Sequence, residues 1–159
     1  MLRGLQGEKV IVFTNTRNTC ELIFKQLKAE GFGTTSLHGG KSQDAREASL
    51  RDFKNAQSPV LVATNVAGRG IDVADVAHVI NYDMANDISD YTHRIGRTGR
   101  AGKKGAATTF LTPGDAKVYF ALCNFLRQAN QTVPSNLASH PASKKDPADK
   151  DKGMMAIEN

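Results

Sequence analysis

Short apolar runs alternate with segments of helical periodicity along most of this chain. Lys9–Phe13 is apolar and β-branched and predicts a buried strand, and Thr34–Leu37, Val60–Thr64, Val76–Tyr82 and Ala106–Leu111 predict four more. Asn18–Glu30 carries Leu22, Ile23 and Leu27 at helical spacing and stops at Gly31. Ser42–Asn55 predicts a second helix, with Ser42 as N-cap and Ala45, Ala48, Ser49 and Phe53 on its inner face. Ile88–Arg97 predicts a third, and Asp115–Ala129 a closing one with Val118, Leu122, Phe125 and Leu126 inward. Strands interleaved with helices imply an α/β fold on a parallel sheet with right-handed crossovers.

The pattern fails after Gln131, where Pro, Ser, Ala, Lys and Asp dominate. A segment such as Lys144–Gly153 has too little apolar surface to offset its ordering entropy. The expected organisation is therefore one domain over residues 1–130 and a polar, flexible tail over 131–159. The length of 159 residues and the 40% hydrophobic content suit one core. The net charge of +5 lies wholly before the tail, with seventeen basic against twelve acidic side chains in residues 1–130. That excess suits a polyanionic partner. Cys20 and Cys123 are far apart, lie in apolar-periodic segments and read as buried free thiols of a reducing compartment. The four histidines show no metal spacing, and no apolar run reaches the ~20 residues of a membrane span.

The densest chemistry lies in Tyr91-Thr92-His93-Arg94-Ile95-Gly96-Arg97-Thr98-Gly99-Arg100-Ala101-Gly102. If this segment is helical throughout, His93, Arg97 and Arg100 share one face. Guanidinium forks match phosphate oxygens bidentately and stay charged at any relevant pH. A phosphate site is one reading and a solvated basic patch the other; the glycines at 96, 99, 102 and 105 favour the first. Arg94 could instead pair with a local acid such as Asp90. Thr35–Ser42 ends in Gly-Lys-Ser, but Thr35 stands where the first glycine of a phosphate loop belongs, so the chain has no such loop.

This arginine segment closely resembles motif VI of the DEAD-box RNA helicases. Three other stretches follow that family's order: Val10–Thr16 resembles motif IV, Gln43-Asp44-Ala45-Arg46 its QxxR element, and Ala63–Asp72 its motif V. The resemblance covers roughly residues 8–140. It implies a RecA-like three-layer sandwich, the second of the two such domains in a helicase, because the phosphate loop and the Asp-Glu-Ala-Asp tetrad are absent. It further implies an ATP hydrolase and RNA helicase, with ATP and Mg2+ held mainly by the other, N-terminal half. Arg97 and Arg100 would reach the β- and γ-phosphates as catalytic groups, and Asp72 and Gly70 would meet the nucleotide. RNA would be gripped through Asn15, Thr16, Gly39, Gly40, Gln43, Arg46 and Thr64, by backbone rather than base contacts. Arg69 and His93 would couple the motifs. The carboxyl ends of the strands, where ligands collect in open α/β sheets, are the expected site.

Two residues depart from the common pattern: Asn65 stands where an aspartate is usual in motif V, and Gly40 where one often follows His-Gly. The strings His38-Gly39-Gly40-Lys41, Val66-Ala67-Gly68-Arg69-Gly70, Asn81–Ala85 and Pro134–Pro141 look most like the pre-mRNA-splicing subgroup. That narrower likeness implies an intracellular, nuclear protein acting on RNA among spliceosomal proteins, monomeric and without membrane contact.

Overall fold

The computed structural model describes residues 2–5, 7–65, 73, 76–99 and 104–146. Among these are five strands: β1 (Lys9–Thr14), β2 (Thr34–Leu37), β3 (Val60–Thr64), β4 (Val76–Asn81) and β5 (Ala106–Thr109). They form one sheet in the order β2-β3-β1-β4-β5, and every pair is parallel. The register runs in step across the centre, with Ile11 beside Leu61 and Val79, and Phe13 beside Ala63 and Asn81.

Burial on both faces explains the near-continuous apolar runs of β1 and β3. Alternation sorts their side chains. Ile11, Phe13, Leu61 and Ala63 join Leu37, Val79 and the Phe53 of helix α2 (Gln43–Lys54) in one core. Val10, Val12, Val60 and Val62 join Cys20 and Ile23 of helix α1 (Arg17–Ala29) in the other. The helices thus cover opposite faces and give three layers. Their starts are capped by hydroxyls: Thr16 accepts from the Thr19 amide at 3.1 Å and Ser42 from that of Ala45 at 3.3 Å.

Of the apolar positions at helical spacing on α1, Leu22 is 54% exposed; the buried positions are Cys20 and Ile23, with Phe24 and Leu27 half-buried beside them. One local expectation is corrected. The third helix, α3 (Ile88–Ile95), ends two residues before Arg97, because the chain turns at Gly96.

The fold divides into a first unit from Met1–Ala85 and Ser89–Phe110 and a second from Asn86–Ile88 and Leu111–Asn159. In the second, the closing helix starts later than expected. Pro113–Val118 is a 3-10 turn, held where the Thr112 amide and hydroxyl both donate to Asp115 Oδ2 at 2.7 and 2.8 Å. Helix α4 (Tyr119–Gln128) follows, burying Tyr119, Leu122 and Cys123. Regular structure continues past Gln131 as helix α5 (Ser135–Ser139) and a 3-10 turn at Pro141–Ser143. Leu137 is buried there, and its carbonyl accepts from Ser143 Oγ at 2.6 Å. Both cysteines are free and buried. No helix among the described residues is long and apolar enough to cross a membrane.

Phe53 is wholly buried between α2 and the sheet. Phe53→Ala is expected to cost about 3–5 kcal/mol in urea unfolding, against under about 0.5 kcal/mol for Leu22→Ala.

Candidate functional site

Parallel strands end on one side, so the residues just past β1, β2, β3 and β4 share that edge of the sheet. The edge is organised by one side chain. Arg94, on α3, is 2% exposed, and burial pushes its guanidinium down to about 10, against which the charges of Asp90 and Asp83 work. It remains a cation at neutral pH, and each nitrogen finds an acceptor. Nε donates to Asn65 Oδ1 at 2.5 Å, Nη2 to Asn15 Oδ1 at 2.7 Å, and Nη1 to the Asp83 carbonyl at 2.7 Å and Asn81 Oδ1 at 3.3 Å. The Phe13 ring lies 5.3 Å from the guanidinium carbon, adding a cation–π contact.

The acceptors are themselves braced. Asn15 donates from Nδ2 to the Met84 carbonyl and from its backbone amide to Asp83 Oδ2, both at 2.8 Å. Asn81 donates to Thr109 Oγ1 at 3.1 Å, reaching β5, and Asn65 donates to Asp90 Oδ2 at 2.8 Å, back on α3. The ends of β1, β3, β4 and β5 are therefore tied to one helix through one cation. The sequence offered a local acid such as Asp90 as a partner for Arg94; the charge of Asp90 acts on the guanidinium, and the Asn65 amide bridges the two side chains.

A second cluster supports the loop after β2. The Gly40 amide donates to His38 Nδ1 at 3.1 Å, which leaves Nε2 to carry the proton toward Glu21 Oε1 at 2.8 Å. The same Glu21 oxygen accepts from Ser36 Oγ at 2.8 Å. Desolvation pushes the Glu21 carboxyl up, but the hydrogen bonds from His38 and Ser36 outweigh it and hold the group below its ordinary value. A Cβ at position 40 would stand 3.1 Å from His38 Nδ1, so the glycine where an aspartate is commoner lets the amide sit on the ring. Lys41 Nζ donates to the Ser36 carbonyl at 2.8 Å.

The candidate RNA contacts fall around this edge in different states. Thr16, Gly39, Gly40 and Gln43 are exposed, and Arg46 is half-buried. Gln43 donates to Glu47 Oε1 at 2.8 Å and accepts from Arg46 Nη1 at 3.4 Å, while Arg46 Nε is buried with no hydrogen-bond partner. Both ends of the Asn15 amide are engaged by Arg94 and Met84, and Thr64 is buried at 7%.

The arginine segment leaves this edge. Its backbone closes through Gly96 N–H to the Thr92 carbonyl at 2.9 Å and Arg97 N–H to the Arg94 carbonyl at 3.1 Å. Thr98 then bridges to Val76, where β4 begins, and its hydroxyl donates to the Val76 and Ala77 carbonyls at 2.6 and 3.2 Å. Gly99 takes a left-handed φ of 70°, and a Cβ on Gly105 would stand 2.5 Å from Thr98 Oγ1, so Thr98 and Gly99 can lie against position 105 only because it is a glycine. From Val76 to Asn81 is roughly 17 Å of strand at ~3.3 Å per residue. The described part of the segment thus begins at the carboxyl edge and, at Thr98, lies beside the other end of β4, so Arg97 stands apart from the candidates at that edge. His93 is exposed, and half-buried Arg97 donates from Nε to the His93 carbonyl at 3.2 Å. Gly70, Asp72, Arg69 and Arg100 lie outside the described residues.

The sequence placed Asp83 at this edge, but it assigned neither Asn81 nor Asp83 a part in holding Arg94, and it did not reveal the bridging role of Asn65. Their signal was an asparagine at or just past the end of three apolar strands (Asn15, Asn65, Asn81), read with a lone arginine on a following helix. Removing the cation leaves four oriented acceptors, the buried Asn81 among them, without their donor. Arg94→Ala is expected to destabilise the chain by about 3–5 kcal/mol in urea unfolding, and Arg94→Lys to recover less than half of that, because an ammonium cannot span the planar fork.

Comparison with known proteins agrees with this geometry. A family model described as "Helicase conserved C-terminal domain" matches residues 1–102. DEAD-box ATP-dependent RNA helicase 21 of Oryza sativa subsp. japonica is 56% identical over 91% of this chain, which spans 20% of that protein. The RNA-helicase Prp28 from Chaetomium thermophilum bound to ADP superposes with a TM-score of 0.79 at 48% identity, over 87% of this chain and 35% of that one. The C-terminal domain of the DEAD-box protein Dbp5 superposes with a TM-score of 0.71 at 36% identity, over 80% of this chain and 75% of that one. The chain spans about a fifth of the length of the curated relatives it matches. With an all-parallel RecA-like sheet and the motif segments in order upon it, this chain belongs to the helicase C-terminal domain family, in its DEAD-box branch.

Proposed function

We propose that this chain is the second RecA-like half of an ATP-dependent RNA helicase. Residues 1–130 form the helicase half. The observation that carries the reading is the buried Arg94 anchor, which sets where α3 ends and so where Arg97 begins. A buried cation with this many partners is a costly way to hold a helix, and it suits a segment whose next arginine must meet a phosphate within a fraction of an ångström.

Arg97 and Arg100 are assigned to the β- and γ-phosphates, Asp72 and Gly70 to the nucleotide, and Arg69 and His93 to coupling between motifs. The donor set fits: Arg97 is half-buried on a hydrogen-bonded turn and presents a permanent cation. ATP supplies the γ-phosphate whose charge these arginines meet, and it and Mg2+ belong mainly to the N-terminal half. The carboxyl edge is assigned to RNA. Thr16, Gly39, Gly40, Gln43 and Arg46 hold the sugar–phosphate backbone there; Asn15 and Thr64, engaged or buried, shape the surface. Contacts to 2′-hydroxyls would favour RNA over DNA.

The two separated groups then have different tasks. Closure of this half on its partner completes the phosphate site at the arginine loop, while the carboxyl edge grips one RNA strand; opening after hydrolysis releases it. The finer assignment is to pre-mRNA splicing, in the nucleus and among spliceosomal proteins. Its support is the likeness to Prp28 together with the Pro134–Pro141 string.

The test is RNA-stimulated ATP turnover by this chain fused to a DEAD-box N-terminal half. Turnover should require the fusion, respond to RNA more than DNA, and fall at least about 10³-fold in Arg97→Ala. RNA binding without arginine-dependent turnover would instead identify a non-catalytic RNA-binding module.

A further inference from the structure

Large apolar side chains are mostly enclosed in this protein; among the described residues Leu22, Tyr82 and Phe110 are the exposed ones. Two of the three are neighbours. Tyr82 directly follows β4 and Phe110 directly follows β5, and their rings meet edge to face, with centroids 6.5 Å apart and planes at 69°. The sheet fixes the backbone beneath them. The register that pairs Asn81 with Thr109 runs on through the Phe110 amide, which donates to the Asn81 carbonyl at 3.1 Å. The Tyr82 amide donates to the Phe13 carbonyl at 3.0 Å. A single exposed leucine is ordinary, whereas two adjoining rings on ordered backbone mark a contact surface.

The position of the pair points to its occupant. Candidate RNA contacts lie past β2 (Gly39, Gly40) and past β1 (Thr16). The strand order β2-β3-β1-β4-β5 puts Tyr82 and Phe110 next along that edge, about 5 and 10 Å beyond β1. The turn that carries Thr16 is tied to this segment, because the Asn15 amide donates to Asp83 Oδ2 at 2.8 Å. A strand gripped at Gly39, Gly40 and Thr16 therefore reaches the aromatic pair as its next contact. Phosphate is poorly matched there. The cations found over rings among the described residues lie at Phe13 and Phe24, and the charge next to Tyr82 is the Asp83 carboxylate. A nucleobase is neutral and offers a π-face, which suits an aromatic pair without a counter-charge.

We propose that Tyr82 and Phe110 form a stacking site for an unpaired base of the bound RNA strand. The inference rests on the assignment of the carboxyl edge to RNA, and adds a base contact where the others are with the backbone. One ring takes the base face to face, and the second, set at 69°, supports the first through its edge. Every base has a π-face, so the site leaves recognition tolerant of sequence. A base inside a duplex is already stacked, so the site favours a strand splayed away from its partner.

Titration of the 159-residue chain with a fluorescein-labelled oligouridylate tests it. Tyr82→Ala and Phe110→Ala should each weaken binding about fivefold or more, while Tyr82→Phe stays within about twofold of the parent. Tyr82→Leu should show the same loss as alanine, and serves where an alanine variant fails to fold. Leu22→Ala, exposed on α1, should change nothing. The salt dependence of binding should keep its slope, because no phosphate contact is lost. An abasic strand of the same length should bind the parent more weakly, and Tyr82→Ala should weaken it no further.

Unchanged affinity in the Tyr82 and Phe110 variants would overturn the proposal, as would an equal loss on the abasic strand or a reduced salt slope. Normal RNA binding with weakened association to a separately expressed N-terminal half would assign the pair to protein instead and equally overturn it. Arg46→Ala separates this inference from the reading beneath it. Loss of RNA binding there, with intact binding in the aromatic variants, keeps the RNA edge and removes the stacking site. No RNA binding by the chain or by the two-half fusion removes both.

Discussion

A cation buried at the carboxyl edge of the sheet sets the terms for the rest of this structure. Taking the Arg94 guanidinium out of water costs several kcal/mol, and only a full set of well-placed acceptors offsets it. Those acceptors come from the ends of β1, β3 and β4. The strands must therefore end level with one another, and α3 must lie at one depth. Asparagine suits this task better than aspartate at the first contact: its oxygen takes the arginine's hydrogen while its nitrogen braces another element, as Asn15 does with Met84 and Asn81 with Thr109. A carboxylate at each strand end would crowd three negative charges around a single positive one.

The apolar core makes that edge possible without determining it. Alternation along β1 and β3 divides Ile11 and Phe13 from Val10 and Val12 and calls for a helix on each face. That satisfies the hydrophobic requirement and leaves the depth of α3 undecided, since its apolar contribution is modest beside its polar one. The polar network supplies the missing constraint. From the fixed turn of α3 the chain passes Gly96 and pairs Thr98 with the start of β4, where Thr98 and Gly99 lie against Gly105. The carboxyl edge, to which we assign RNA, and the turn that carries Arg97 are thus held by one helix toward opposite ends of one strand, as the proposed coupling of two ligands requires.

Much of this was legible in the sequence. The five strands stand out because a parallel sheet buried on both faces needs unbroken apolar runs, and the hydroxyl cap at Ser42 marks where α2 begins. The family was legible in the motif segments, whose types and order match the helicase C-terminal domain. What escaped depended on tertiary position. Leu22 fits the periodicity of α1 yet points outward, because Cys20 and Ile23 already fill the groove over β1 and β3. His93, Arg97 and Arg100 form a face only if the helix continues, and Gly96 ends it. The short helix at Ser135–Ser139 has one buried apolar residue, Leu137, too little for a periodic signal. The three asparagines look like ordinary loop residues until the strand order brings them to one cation.

The most direct test of this account is the exchange rate of the Arg94 Nε–H, followed by NMR in the 159-residue chain. An anchored guanidinium bonded to Asn65 predicts a resolved signal that exchanges orders of magnitude more slowly than the exposed side chain of Arg3, and that opens only with global unfolding. Exchange at the rate of Arg3 would mean that the cation is solvated, and the claim that it fixes the strand ends and the arginine loop would fall.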